Sequence, residues 1–212
     1  MGKLKNGILG GVSGKVGTVT CYCLNGQEIV RSNGKNNNPP TIKQLNNYQQ
    51  MEVISEFFNG MKPILKAGFG HEAIGTIKNY HNLAIEYNKP NALKGYFPDV
   101  EIDYPKIVIS AGHLSLAFNP TVEMVAEGLK FNWEVQHNIP QENTDRVMLL
   151  AYAPNSKDMS FNNSGAQRIE GCDILKIPSS MKNEPLEVYM SFVSDDRLSA
   201  SNSQYLGLIT VL

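Results

Sequence analysis

Between residues 16 and 32 polar and apolar positions alternate with a period of two, the spacing of a half-buried strand. Val16, Thr18, Thr20 and Tyr22 interleave with Gly17, Val19, Cys21 and Cys23, and β-branched residues dominate the run. Asn25-Gly26 then supplies the residue pair that a two-residue type I′ turn needs, because both central positions take positive φ. Gln27 to Ser32 reads as the return strand. A lone hairpin is only marginally stable in water, so these strands are expected to join more sheet, from their own chain or from another copy.

The run Asn33–Pro40 is a linker by composition, and Thr41 with Gln44 three residues later forms a capping box that opens a helix. A period near 3.6 places Ile42, Leu45, Tyr48, Met51, Ile54 and Phe58 on one face of a helix over about 41–59. Gly60 and Pro63 interrupt it. A second helix is expected over about 71–88, with Ile74, Ile77, Tyr80, Leu83, Ala84 and Tyr87 inward and Pro90 as its stop.

Past Gly95 the period returns to two. Leu114, Leu116 and Phe118 alternate, as do Leu129, Phe131, Trp133 and Val135, then Val147, Leu149 and Ala151, then Val188, Met190 and Phe192. Turn-rich clusters at Asn119-Pro120, Asn155-Ser156, Asn162–Gly165 and Asp195-Asp196 separate them. Several short strands spaced by turns predict a β-sandwich with Trp133 plugging its core. The expected fold is therefore α+β, with a boundary near Tyr96-Phe97-Pro98. Residues 1–95 form a glycine-rich arm, hairpin and helical pair, and residues 96–212 form the sandwich domain.

Composition changes this picture at the N-terminus. Eight of the 18 glycines lie in the first 34 residues, a density that marks either a loose linker or a close approach of backbones. Since a hairpin follows at once, this segment is expected to be held by something. The net charge of −1 hides a split, with residues 1–95 at +6 and residues 96–212 at −7. The basic half suits the acidic half of a neighbouring copy. Nucleic acid is disfavoured, because Lys3, Lys5, Lys15, Arg31, Lys35 and Lys43 lack interleaved aromatics apart from Tyr22. No apolar run reaches the length of a membrane span, and glycines break the stretch after Lys3 and Lys5 that a signal peptide would need. The expected location is the cytoplasm or an intracellularly assembled particle.

Candidate chemistry is sparse. Lys15 follows Gly14, but Leu9 and Val16 stand where a phosphate loop requires Gly and Ser or Thr. Gly11-Val12-Ser13-Gly14 is followed by Lys15 where a nucleophile elbow ends in Gly. Cys21 and Cys23 share a strand face without a second ligand pair, which reads as two small buried thiols. Cys172 leaves no disulfide framework. His71, His81, His113 and His137 have no metal-ligand spacing; Glu101 with Asp103, and Asp195-Asp196, read as a solvated face and a turn. No catalytic residue, metal or cofactor is expected.

The stretch GILGGVSGKVGTV, followed by Glu28-Ile29-Val30-Arg31-Ser32 and by Pro39-Pro40-Thr41 with Gln44, resembles an uncharacterised bacterial family known only as a domain of unknown function. The ending from Phe192-Val193-Ser194 to Leu206-Gly207 extends the resemblance over the whole chain. The first part is also similar to phage structural proteins. The resemblance implies a C-terminal domain like a fibronectin type III or immunoglobulin-like sandwich, and it implies no catalytic residues. Together these readings predict a non-enzymatic, self-associating structural protein. Its oligomer contacts are expected at Gly10, Gly11, Gly14, Gly17, Val19, Tyr22, Ile29 and Arg31. The rival reading is a monomeric module whose sandwich loops bind a glycan or protein ligand.

Overall fold

The computed structural model of the chain describes residues 2–4, 7, 10–34, 37–135 and 143–210. Of the residues singled out above, Lys5, Leu9, Lys35 and His137 lie outside the described set. The chain divides into two compact units, Met1–Thr41 and Ile42–Leu212. The change of period near residue 95 falls inside the second unit, where helices and strands share a core.

The smaller unit is one antiparallel sheet of β1 (Lys3–Leu4), β2 (Val12–Val16), β3 (Val19–Leu24) and β4 (Gln27–Ser32), in that order. Its β3–β4 hairpin closes as the sequence predicts: Asn25 and Gly26 have φ of 49° and 82°, and Leu24 faces Gln27. The hairpin joins sheet from its own chain, since β2 pairs with β3 and β1 pairs with β2.

The larger unit begins with α1 (Ile42–Phe58), α2 (Lys62–Ala73) and α3 (Tyr80–Asn88) and a two-stranded ribbon of β5 (Leu93–Lys94) and β6 (Glu101–Ile102). Two larger antiparallel sheets follow. One has the order β11 (Cys172–Leu175), β8 (Gly128–Glu134), β7 (Phe118–Val125); the other has β10 (Asp158–Asn162), β9 (Arg146–Ala153), β12 (Pro185–Val193), β13 (Gln204–Thr210).

The four-stranded sheet lies between two cores. Successive side chains on a strand point to opposite faces, so each central strand feeds both. Met148, Leu150 and Tyr152 of β9, with Tyr189 and Val193 of β12, pack against Ile54, Phe57, Phe58, Ile64, Leu65 and Phe69 of the helices. Val147, Leu149, Ala151 and Ala153, with Val188, Met190 and Phe192, pack against Leu129, Phe131 and Trp133 of the other sheet. The Trp133 ring meets Phe192 edge-on at 5.6 Å, and its Nε1–H donates to the Arg168 carbonyl at 2.7 Å. The Arg168 guanidinium in turn stacks 3.7 Å from the Phe192 ring and pairs with buried Asp145 at 3.3 Å. A buried charge needs such a partner.

Several details depart from the periodic reading. In α1, Ile54 and Phe58 are fully buried, but Ile42 and Tyr48 are exposed. Buried Asn46 takes the inward position there, and its Oδ1 accepts the Phe97 N–H at 2.9 Å. The expected helix over 71–88 is the end of α2 and a separate α3. Gly75 with φ of 78° breaks the chain between them, and the Asn79 side chain caps α3 by accepting the Asn82 N–H at 2.8 Å. Ile74 and Ile77 sit in this break and are exposed. Pro63 stands in the first turn of α2, where its missing N–H costs nothing, so it starts a helix instead of ending one. Asn119-Pro120 lies within β7, at a register shift between Phe118 and Thr121. Leu116 and Phe118, placed inward by alternation, are exposed.

Candidate assembly surface

Strand register assigns every side chain of the small sheet to a face, because directly opposed residues point the same way. Gly14 faces Cys21, which faces Val30; Val16 faces Val19, which faces Ser32; Leu4 faces Val12. These residues, with Cys23 and Glu28, make one face. Lys15 faces Thr20, which faces Arg31; Tyr22 faces Ile29; Lys3 faces Ser13. These make the other. One face is apolar and the other carries three cations.

None of the described residues from 2 to 41 is buried. Val16 is 48% exposed and Val30 is 64% exposed, values that in a folded sheet normally fall on the solvent side. The sheet has an apolar face without an apolar core beneath its own strands. Among the described residues β4 is an end strand, so the outer edge of Gln27–Ser32 presents unpaired backbone donors and acceptors.

The residues expected to mediate oligomerisation do not form one patch. Gly10 and Gly11 precede β2, and a Cβ at Gly11 would overlap the Glu28 carboxylate. Gly17, with φ of 57°, makes the β2–β3 turn. Gly14 and Val19 lie on the apolar face, whereas Tyr22, Ile29 and Arg31 lie on the basic one. Sequence reasoning missed Leu4, Val12, Val16 and Val30; the signal available was the alternation of Val12, Gly14 and Val16, which continues the hairpin pattern by one more strand. Cys21 and Cys23 share the apolar face as expected but are not buried, like every other described residue of this unit.

The other candidate groups are dispersed. Lys15 sits inside strand β2 and not in a loop that opens a helix. His71, on α2, has its pKa lowered by burial and, more weakly, by the neighbouring charge of His113; His81 meets the Phe58 ring edge-on. Among the described residues no group of three or more His, Cys, Asp or Glu side chains could hold a metal ion. Glu101 and Asp103 pair with Lys94 at 3.4 Å and Lys106 at 2.7 Å. Asp195 pairs with Arg146 at 3.3 Å, and hydrogen bonds from the Ser194 hydroxyl and the Leu198 N–H hold the Asp196 carboxyl below its ordinary pKa. Among the described residues no helix is long and apolar enough to cross a membrane.

The larger unit has an open cleft of about 540 Å³ beside the end of α1. Phe57, Tyr104 and Tyr152 line it, their ring centroids 4.8–6.2 Å apart, and the Lys157–Glu56 ion pair at 2.6 Å stands at its rim. Burial pushes the Tyr152 hydroxyl up to about 12, with smaller contributions from Tyr104 and Glu56. Its residues come from segments almost a hundred positions apart, so no local pattern announces it.

A family model described as a family of unknown function, DUF6266, matches residues 11–207. No curated protein and no solved structure matches the chain.

Proposed function

The chain belongs to DUF6266, a family of unknown function, and we propose that it is a non-enzymatic, self-associating structural protein whose residues 1–34 join copies together. The observation that carries this reading is the small sheet itself: four paired strands with no buried side chain and an open edge. Ordinary sheets cover at least one face, and an uncovered edge is a template for another strand. Charge supports association of unlike units: residues 1–41 have a net charge of +4 and residues 42–212 a net charge of −5. Contacts between different surfaces of successive copies generate rings or filaments.

The larger unit would then be the displayed module. Its three-plus-four arrangement of β7–β13 supports reading this part as a fibronectin type III or immunoglobulin-like sandwich. A monomeric ligand- or glycan-binding module is the second reading, and the aromatic cleft beside α1 favours it.

Light scattering over a concentration series separates the two. Assembly predicts a mass that rises above the monomer value of 23.5 kDa with concentration, and loss of that rise on deleting residues 1–34 with the remainder still folded. A monodisperse monomer at millimolar concentration, or oligomers unchanged by the deletion, would overturn the proposal.

A further inference from the structure

Self-association through residues 1–34 leaves open whether copies meet at strand edges or at sheet faces, and the distribution of side chains in the small sheet discriminates between them. Resting on that reading, we infer that two copies stack their small sheets face to face through Leu4, Val12, Val16, Val19 and Val30, with Cys21 and Cys23 enclosed and the basic faces turned outward.

Charge placement selects the occupant. The described charged residues of the sheet are Lys3, Lys15, Glu28 and Arg31, and all three cations lie on one face. Two basic faces stacked at the ~10 Å spacing of packed sheets would oppose six cations with nothing between them. The apolar face carries only Glu28, next to the hairpin turn, so it can meet a copy of itself without burying opposed like charges at its centre. A second copy is thus a self-complementary partner, as a two-fold contact requires, and the contact between unlike units is a separate one that links such pairs.

Side-chain size points the same way. Gly14 and Cys21 face each other across β2 and β3, so small groups stand between the larger apolar side chains on either side of them. Among the described residues, four of the unit's five exposed large apolar side chains (Leu4, Val12, Val16 and Val30, but not Leu24) are on this face. Three strands of five or six residues and the two-residue β1, ~4.8 Å apart and rising ~3.4 Å per residue, span roughly 300 Å². That footprint is small beside the ~800 Å² per partner of stable interfaces, so the stacked dimer forms as concentration rises and is not permanent.

The experiment compares the full-length chain with two matched variants by sedimentation over a concentration series. Val30→Lys places a charge on the apolar face; Leu24→Lys makes the same change, from an exposed apolar residue, on the basic face. Val30→Lys is expected to raise the concentration of half-assembly by tenfold or more, and Leu24→Lys by less than about threefold. A second readout leaves the face intact: in a Cys172→Ser background, alkylation of Cys21 and Cys23 by iodoacetamide should slow several-fold as concentration rises. Assembly that is indifferent to Val30→Lys, equally sensitive to both variants, or accompanied by unchanged thiol reactivity overturns face stacking while self-association stands. A wild-type chain that remains monomeric throughout overturns both.

Discussion

In the larger unit β9 and β12 are buried on both faces; in the smaller unit four strands with the same antiparallel pairing bury nothing. The backbone hydrogen bonding is alike in kind, so the difference lies in what covers the sheet. Helices lie on one side of β9 and β12 and a second sheet on the other, and the strands are apolar at nearly every position. β2 and β3 alternate valine or cysteine with lysine, threonine or tyrosine and have glycine at Gly14. Ladder formation alone leaves a sheet marginal, and burial of side chains is what makes one stable.

The sharpest way to break that contrast is side-chain truncation on each side of it. Phe131→Ala or Tyr189→Ala removes a fully buried ring and is expected to cost about 3–5 kcal/mol in urea unfolding followed by Trp133 fluorescence. Val16→Ala, on an exposed position of the small sheet, should lower the hydrogen-exchange protection of the β2 and β3 amides by no more than ~0.5 kcal/mol. A comparable loss from Val16→Ala would erase the distinction.

A smaller effect is expected in the opposite place. Gly26 holds φ of 82°, a left-handed conformation that costs a non-glycine residue about 1–2 kcal/mol. Gly26→Val should therefore speed amide hydrogen exchange across β3 and β4 while the Trp133 transition stays where it was. If the Trp133 midpoint falls too, the units do not unfold independently.

The smallest effect is a pH dependence confined to the larger unit. Burial raises the Tyr152 hydroxyl from its ordinary ~10 to about 12, so the folded state favours the protonated form. Its contribution is fully present below pH ~10 and is lost as pH rises through 12. Tyr189 and Tyr205, raised by burial and by the Glu187 carboxylate, add to the same alkaline loss. Tyr152→Phe should recover on the order of 1 kcal/mol of stability at pH 12 relative to pH 9, measured as the change in urea midpoint. An unchanged pH profile would show that Tyr152 ionises as freely in the folded state as in the unfolded one.

What the chain revealed in advance was what is decided locally. Asn25-Gly26 fixes a turn through its own φ angles, and the strands beside it follow. The extent of α1 was legible to within a residue or so, but its facing was not, because Asn46 is buried by a hydrogen bond to distant Phe97. The alternation at Val188, Met190 and Phe192 correctly marks one core, yet Tyr189 and Val193 between them fill another. A strand with a core on each side has no polar face to betray it. The apolar face of the small sheet was half legible: Val19 was singled out, but β2 was hidden among glycines, and register was needed to bring Val16 and Val30 onto the same side.

The position of β12 also governs the order in which the chain can be made. It is the inner strand between β9 and β13, yet it is built from residues 185–193, after both surfaces it will cover have been synthesised. While a ribosome elongates the chain, the small sheet can pair as soon as Ser32 emerges. The helical core and the inter-sheet core, by contrast, both wait for the same nine residues. Until then β9 shows apolar side chains on two sides, the state in which nascent chains recruit chaperones or aggregate. A frameshift or premature stop before Pro185 therefore does not yield a shortened version of the larger unit. It removes the strand on which both of that unit's cores depend.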